Sequence, residues 1–254
     1  MLSEQEIEAA EKLRAKGDYL TALTLTQEML VRAQDEDTRM RLLFDVLYCS
    51  TRLCLDDVTN DAVAELERMP EPRMSRIFID FIQAMSCIAQ GRAQRGLDLI
   101  EANLKSDFMG REDFLIWKYK HLAYKGSALT WLGRCQEALS VLDEAQQMNP
   151  EGERETAILM DQANCFLALD RYDDSFDAAN RIVSKNDEDE MTTLAMQYMA
   201  ECRMWQGRVS EALKIYMMIQ KRLPCRLVEK DRIQLGIERA VSHLEKDASQ
   251  TKPF

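Results

Sequence analysis

Few residues of this 254-residue chain belong to the types that carry out chemistry. The two histidines, His121 and His243, stand far apart, and neither has a Cys or His partner at metal-ligand spacing. The seven cysteines, Cys49, Cys54, Cys87, Cys135, Cys165, Cys202 and Cys225, are scattered singly with no Cys-x-x-Cys pair. An odd set of isolated cysteines suits small apolar fillers in reduced helix interiors better than a disulfide framework. A redox sensor would need an exposed thiol of lowered pKa. The acidic stretch from Lys185 to Glu190 is rich in oxygen ligands but lacks the glycine of a calcium loop, so it reads as solvated loop or helix start. No phosphate-cradling glycine loop, nucleophile elbow or His-Glu-x-x-His motif occurs. These residues predict no catalytic site, no cofactor and no metal.

Composition narrows the partners. Lys and Arg number 33 against 44 Asp and Glu, a net charge of -11 that opposes attraction to phosphate backbones and anionic membranes. Nucleic acid and membrane are therefore not expected as partners. The acidic N-terminus, from Met1 to Glu8, lacks the apolar core of a signal peptide, and no apolar run approaches spanning length. A cytoplasmic location follows as the expectation. With 46% hydrophobic residues but only 9 Gly and 5 Pro, the composition favours helices.

The elements that position these side chains are clearest from Tyr119 to Pro150. Leu122, Gly126 and Leu129 recur at helical spacing, as do Ala138, Leu142 and Ala145, so two amphipathic helices face one another. Gly133 sits where the first must stop, Gly126 and Ala138 allow close approach, and Pro150 ends the second. Taking the small residue early in each second helix as a mark gives Ala22, Ala62, Gly96, Ala138, Ser175 and Ala212, at intervals of roughly 34–42 residues. The position twelve residues earlier is small every time: Ala10, Ser50, Ala84, Gly126, Ala163 and Ala200. The position five residues before each mark reads Gly17, Asp57, Gly91, Gly133, Asp170 and Gly207, as turns require.

This pattern of small residue, turn glycine, alanine and terminal proline resembles the tetratricopeptide repeat family, although Leu122 and Leu129 stand where that family favours Trp and Tyr. The resemblance implies an all-α fold, a right-handed α-α superhelix or solenoid of about six helical hairpins. The units run over about 3–34, 41–72, 75–106, 114–152, 156–187 and 193–225, with a capping helix over 226–246 and a disordered tail at 247–254. Together, 1–246 would form a single domain. In the second unit the turn is expected over Leu55 to Asn60, and Pro70 and Pro72 are expected to break the chain before the third. The charged first helix and the last helix suit the two ends of a stack.

In that family the first helices line a concave groove. Carried over position by position, the groove would present Phe44, Leu47, Thr51 and Cys54, then Phe78, Phe81, Met85 and Ile88. Further on come Lys120, Ala123, Ser127 and Thr130, then Ala157, Met160, Asn164 and Leu167, and last Leu194, Gln197, Glu201 and Met204. It would be apolar first and polar later. Only Lys120 and Asn164 match the lysine, asparagine and arginine that family members use to grip a carboxylate-terminated tail, so an apolar peptide or amphipathic helix is the better-matched ligand. The expected role is a non-enzymatic adaptor or scaffold binding a protein or peptide partner. The alternative is a self-associating structural subunit, a homo-oligomer or part of a larger assembly. Phe78, Phe81 and Met85 could equally be covered by neighbouring repeats.

Overall fold

The structure is a computed structural model that describes residues 2–53, 55–69, 72–149, 154–185, 190–222 and 227–250. Among them the regular elements are all helical: α1 (Glu4–Ala15), α2 (Tyr19–Arg32), α3 (Glu36–Arg52), α4 (Asp56–Leu66), α5 (Pro72–Ala89), α6 (Ala93–Leu104), α7 (Leu115–Trp131), α8 (Cys135–Met148), α9 (Glu155–Ala168), α10 (Tyr172–Val183), α11 (Glu190–Trp205), α12 (Val209–Arg222) and α13 (Leu227–Gln250). Two 3-10 turns, Asp107–Gly110 and Glu112–Phe114, lead into α7. Ser106 caps the first of them by accepting from the Phe108 N–H at 3.4 Å.

Hairpins form because the chain reverses through one repeated device. Gly133, at φ 71°, donates its N–H to the Thr130 carbonyl, and the next N–H, of Arg134, reaches back to Leu129 at 2.9 Å. These two bonds satisfy carbonyls that the helix end leaves without partners, and the left-handed φ they need costs glycine no Cβ clash. The same pair of bonds recurs around Gly17, Gly91 and Gly207, and around Asp170, which takes φ 58° without being glycine. In these five hairpins the small mark is the fourth residue of the second helix.

The second hairpin departs from this. α4 begins at Asp56, the reversing bond runs from Leu55 N to Ser50 O, and Ala62 is the seventh helical residue. The turn expected over Leu55 to Asn60 is thus one helical turn too late. Asp57 sits in the first turn of α4, at the positive end of the helix macrodipole, where a carboxylate favours a helix start over a loop. Pro72 opens α5 after the break that follows α4, since a missing N–H costs nothing in the first turn. α13 continues to Gln250, past the expected start of a tail at 247, through residues with no Gly or Pro to stop it. Cys54, Pro70, Pro150, Pro224, Cys225, 186–189 of the acidic stretch and 251–254 lie outside the described residues.

The chain divides into two compact units, Met1–His121 and Leu122–Phe254, with the division inside α7. Within the first, α1 to α6 pack each on the next, and α3 also meets α5. The core there is built on Leu23, Leu43, Val46, Leu47, Leu66 and Ile79. Ser3 and Glu6 form a reciprocal capping box at the start of α1. Within the second unit, α8 to α13 pack consecutively and α9 also meets α11. Neighbour-on-neighbour packing with a second contact between alternate helices is the signature of a helical-repeat solenoid. Close approach is tightest at Gly126, where a Cβ would stand 2.3 Å from Leu142 Cδ2.

Candidate functional site

The predicted groove residues of the first unit fall on α3, α5 and the start of α7. Phe78 is half-buried and meets Phe44 edge-on at 4.7 Å and Trp117 at 4.4 Å between ring centroids. Phe81 is buried, 4.4 Å from the His121 ring and 6.0 Å from Trp117. Lys120 extends its ammonium to 4.9 Å from the Trp117 ring. Phe78, Phe81 and Lys120 therefore meet Trp117, and Phe44 joins them through Phe78; Phe81 is buried and the other three are half-buried. Leu47 is wholly enclosed in the core, and Ile88 is buried against the glycine face of α6.

His121 is the buried neighbour of Phe81. Its Nδ1–H donates to the Trp117 carbonyl at 2.8 Å, which leaves Nε2 bare to accept the Asn103 amide at 3.1 Å; that same amide also donates to Ile77 O. Burial pushes its pKa down to about 4, so the ring is neutral at pH 7 and serves as a pinned core group. The thiols are equally withdrawn. Cys49, Cys87, Cys165 and Cys202 are buried, and burial raises Cys49 to about 11 and Cys165 to about 12. Among the described residues, no group of three or more His, Cys, Asp or Glu side chains could hold a metal.

The first unit has a cavity of about 170 Å³ where α3 meets α5. Its walls are Tyr48, Ile82, Met85 and Ala89, and Thr51, Arg52, Ser86 and Gln90 add polar groups. Met85 and Thr51 were expected here; Tyr48, Arg52 and Ala89 were not. For Tyr48 the early start of α4 is the reason. Counted back from the observed turn, the outward positions of α3 are Phe44, Tyr48 and Thr51, so Leu47 belongs to the core. The Asp56, Asp57 pair, read as a helix start, was the signal for that register.

In the second unit the expected residues are more polar. Asn164 and Glu201 are exposed, Met160 is buried in the core, and Ser127 is buried with its hydroxyl on Asp161 Oδ2 at 2.5 Å. Gln197 is buried, and its amide nitrogen has no hydrogen-bond partner among the described residues. Asp161, which no sequence signal marked, is half-buried, and burial raises its pKa to about 6 against the opposing pull of Ser127 and Arg154. These side chains can hold polar or main-chain groups; they do not converge as an acid, base and nucleophile would.

The whole chain is similar in structure to a crystal structure of a tetratricopeptide repeat protein from Parabacteroides merdae, with a TM-score of 0.57. The alignment covers 98% of this chain and 93% of that one at 16% identity. The fold is a tetratricopeptide-like helical repeat. No family model matches the sequence, and no curated protein matches it. Among the described residues, no helix is long and apolar enough to cross a membrane.

Proposed function

We propose that the chain is a non-enzymatic adaptor that holds an apolar anchor of a partner protein, carried on an extended or amphipathic segment, against α3 and α5 of its first unit. The observation that supports this is the cavity between those helices: about 170 Å³, apolar at its walls, with Thr51, Arg52, Ser86 and Gln90 around it. An apolar space of comparable size is enough to accept a benzene-sized group. The polar residues can then meet the main chain on either side of the anchor.

Ala89 gives a clean test because it is exposed and lines the cavity at the C-terminal end of α5, clear of the core. Peptides selected from a random library against the full chain should share one large apolar residue, and Ala89→Trp should abolish their binding while the melting temperature holds. Selected peptides that bind Ala89→Trp as well as wild type would overturn the reading. A second reading, self-association within a larger assembly, is favoured by Met217, Met218, Leu235 and Val241, which stay exposed on α12 and α13. Concentration-dependent dimers in sedimentation that Met218→Glu with Leu235→Glu abolishes would select it.

A further inference from the structure

The hairpin turns of the second unit expose one repeated position, two residues before the left-handed residue. It is Trp131 in α7, Ala168 in α9 and Trp205 in α11, and the two indoles are 68% and 69% exposed. Their surroundings differ. The Trp205 ring lies parallel to Tyr172, within 6°, at 6.4 Å between centroids. The Tyr172 hydroxyl donates to Asp170 Oδ1 at 2.7 Å, and the Gln206 amide, next to Trp205, donates to Asp173 Oδ1 at 2.7 Å. Two exposed carboxylates are thereby fixed beside the exposed Trp205 and the half-buried Tyr172.

The nearby cations are committed elsewhere. Arg171 donates to Asp174 at 2.7 Å and lies 4.4 Å over Phe166. Arg203 lies 3.7 Å over Phe176 and donates to Gln206 Oε1 at 2.6 Å. Arg154 covers Tyr124 at 3.7 Å. Guanidinium groups thus sit over Tyr124, Phe166 and Phe176, whereas no cation lies over Trp205 or Tyr172 among the described residues of this unit. We propose that the Trp205 and Tyr172 rings, with Asp170 and Asp173, receive an arginine from a basic segment of a partner protein. A guanidinium suits the site better than an ammonium, because its plane can stack on the indole while its fork reaches a carboxylate. The chain's net charge of -11 favours the approach of such a segment. This surface lies in the second unit and binds by charge, so its test is independent of the apolar cavity of the first.

The probe is a short capped peptide of alternating glycine and arginine, titrated into the full ¹⁵N-labelled chain while the indole N–H signals are followed, with Trp205→Phe assigning one of them. The expected result is a saturable shift of the Trp205 signal with little movement at Trp131. Asp170→Asn and Asp173→Asn should each weaken binding about threefold, the loss of one exposed charged contact. Asn tolerates the φ of 58° at position 170 and still accepts from Tyr172, so that variant leaves the turn intact. Equal shifts at Trp131 and Trp205, no saturation, indifference to both Asn variants, or equal affinity for the lysine version of the peptide would each overturn the proposal.

Discussion

Replacing Asp161 by Asn should stabilise the protein, and more so at high pH. The carboxyl is held by α9 against Ser127 of α7, and burial raises its pKa from 3.8 to about 6. The folded protein therefore keeps this proton more tightly than the unfolded chain. The contribution to stability is most favourable below pH 3.8 and is lost as pH rises through about 6. If the full shift were expressed, the ionised group would cost about 3 kcal/mol at pH 8 and roughly half that at pH 5. Asp161 retains some solvent contact, which screens its charge and brings the expected cost to about 1–2 kcal/mol at pH 8 and under about 1 kcal/mol at pH 5. Asn keeps an oxygen to accept from Ser127 and never ionises. His121 works in the opposite direction, losing stability as pH falls from 6.5 towards about 4, but it is common to both proteins and cancels in the comparison.

The assay is urea unfolding of wild type and Asp161→Asn, followed by circular dichroism at pH 5 and pH 8 at equal ionic strength. Because a stack of repeats can unfold in parts, the two proteins must first be shown to have transitions of the same steepness. The variant should gain at both values, with the larger gain at pH 8. A destabilised variant, or a gain that is larger at pH 5, would refute the reasoning, since either would mean that the carboxylate is better satisfied when charged than when neutral.

The close helix approach in the fourth hairpin is open to a similar test. Gly126→Ala puts a methyl 2.3 Å from Leu142 Cδ2 and should cost about 1–3 kcal/mol in urea unfolding, while Gly126→Ala with Leu142→Ala should lose less than the sum of the two single losses. Thiol labelling separates the cysteines: in a chain carrying Cys54→Ser and Cys225→Ser, Ellman's reagent at pH 8 should reach half-exposed Cys135 about tenfold or more ahead of Cys49, Cys87, Cys165 and Cys202, and faster reaction at Cys165 would contradict its burial.

Much of the fold was legible because the turns announce themselves in residue type. A glycine five residues before a small residue marks a left-handed reversal, and Gly17, Gly91, Gly133 and Gly207 all take that conformation. The second hairpin was misread because Asp57 satisfies a turn and a helix N-terminus equally well on composition, and only the reversing bond from Leu55 to Ser50 decides between them. The site was less legible for a physical reason: spacing places a residue on a helix face, but burial depends on what a later helix lays over it. Trp117 and His121, arriving on α7, enclose Phe78 and Phe81, and nothing local to α5 foretells that. Conversely Tyr48 takes an outward position at the cavity because α3 ends a turn early.

Exposure alone would not distinguish the two proposed surfaces from ordinary apolar residues left in water. Val31 is 87% exposed and Leu20 63%, yet single apolar side chains in water are common on soluble domains and imply nothing. What separates the α3 and α5 cavity is concavity, because an apolar wall on several sides recovers far more contact from one inserted side chain than a flat patch does. What separates Trp205 from Trp131, equally exposed and at the same position in its hairpin, is the pair of carboxylates held by Tyr172 and Gln206. A cation settling on Trp131 would find no such hydrogen-bonded carboxylate pair among the described residues of the second unit. On Trp205 it would also gain a fixed counter-charge, and since those carboxylates are already oriented, little side-chain entropy is lost when it arrives. The repeat places a tryptophan at that position twice; Trp205 is the one with a held carboxylate pair beside its stacking partner.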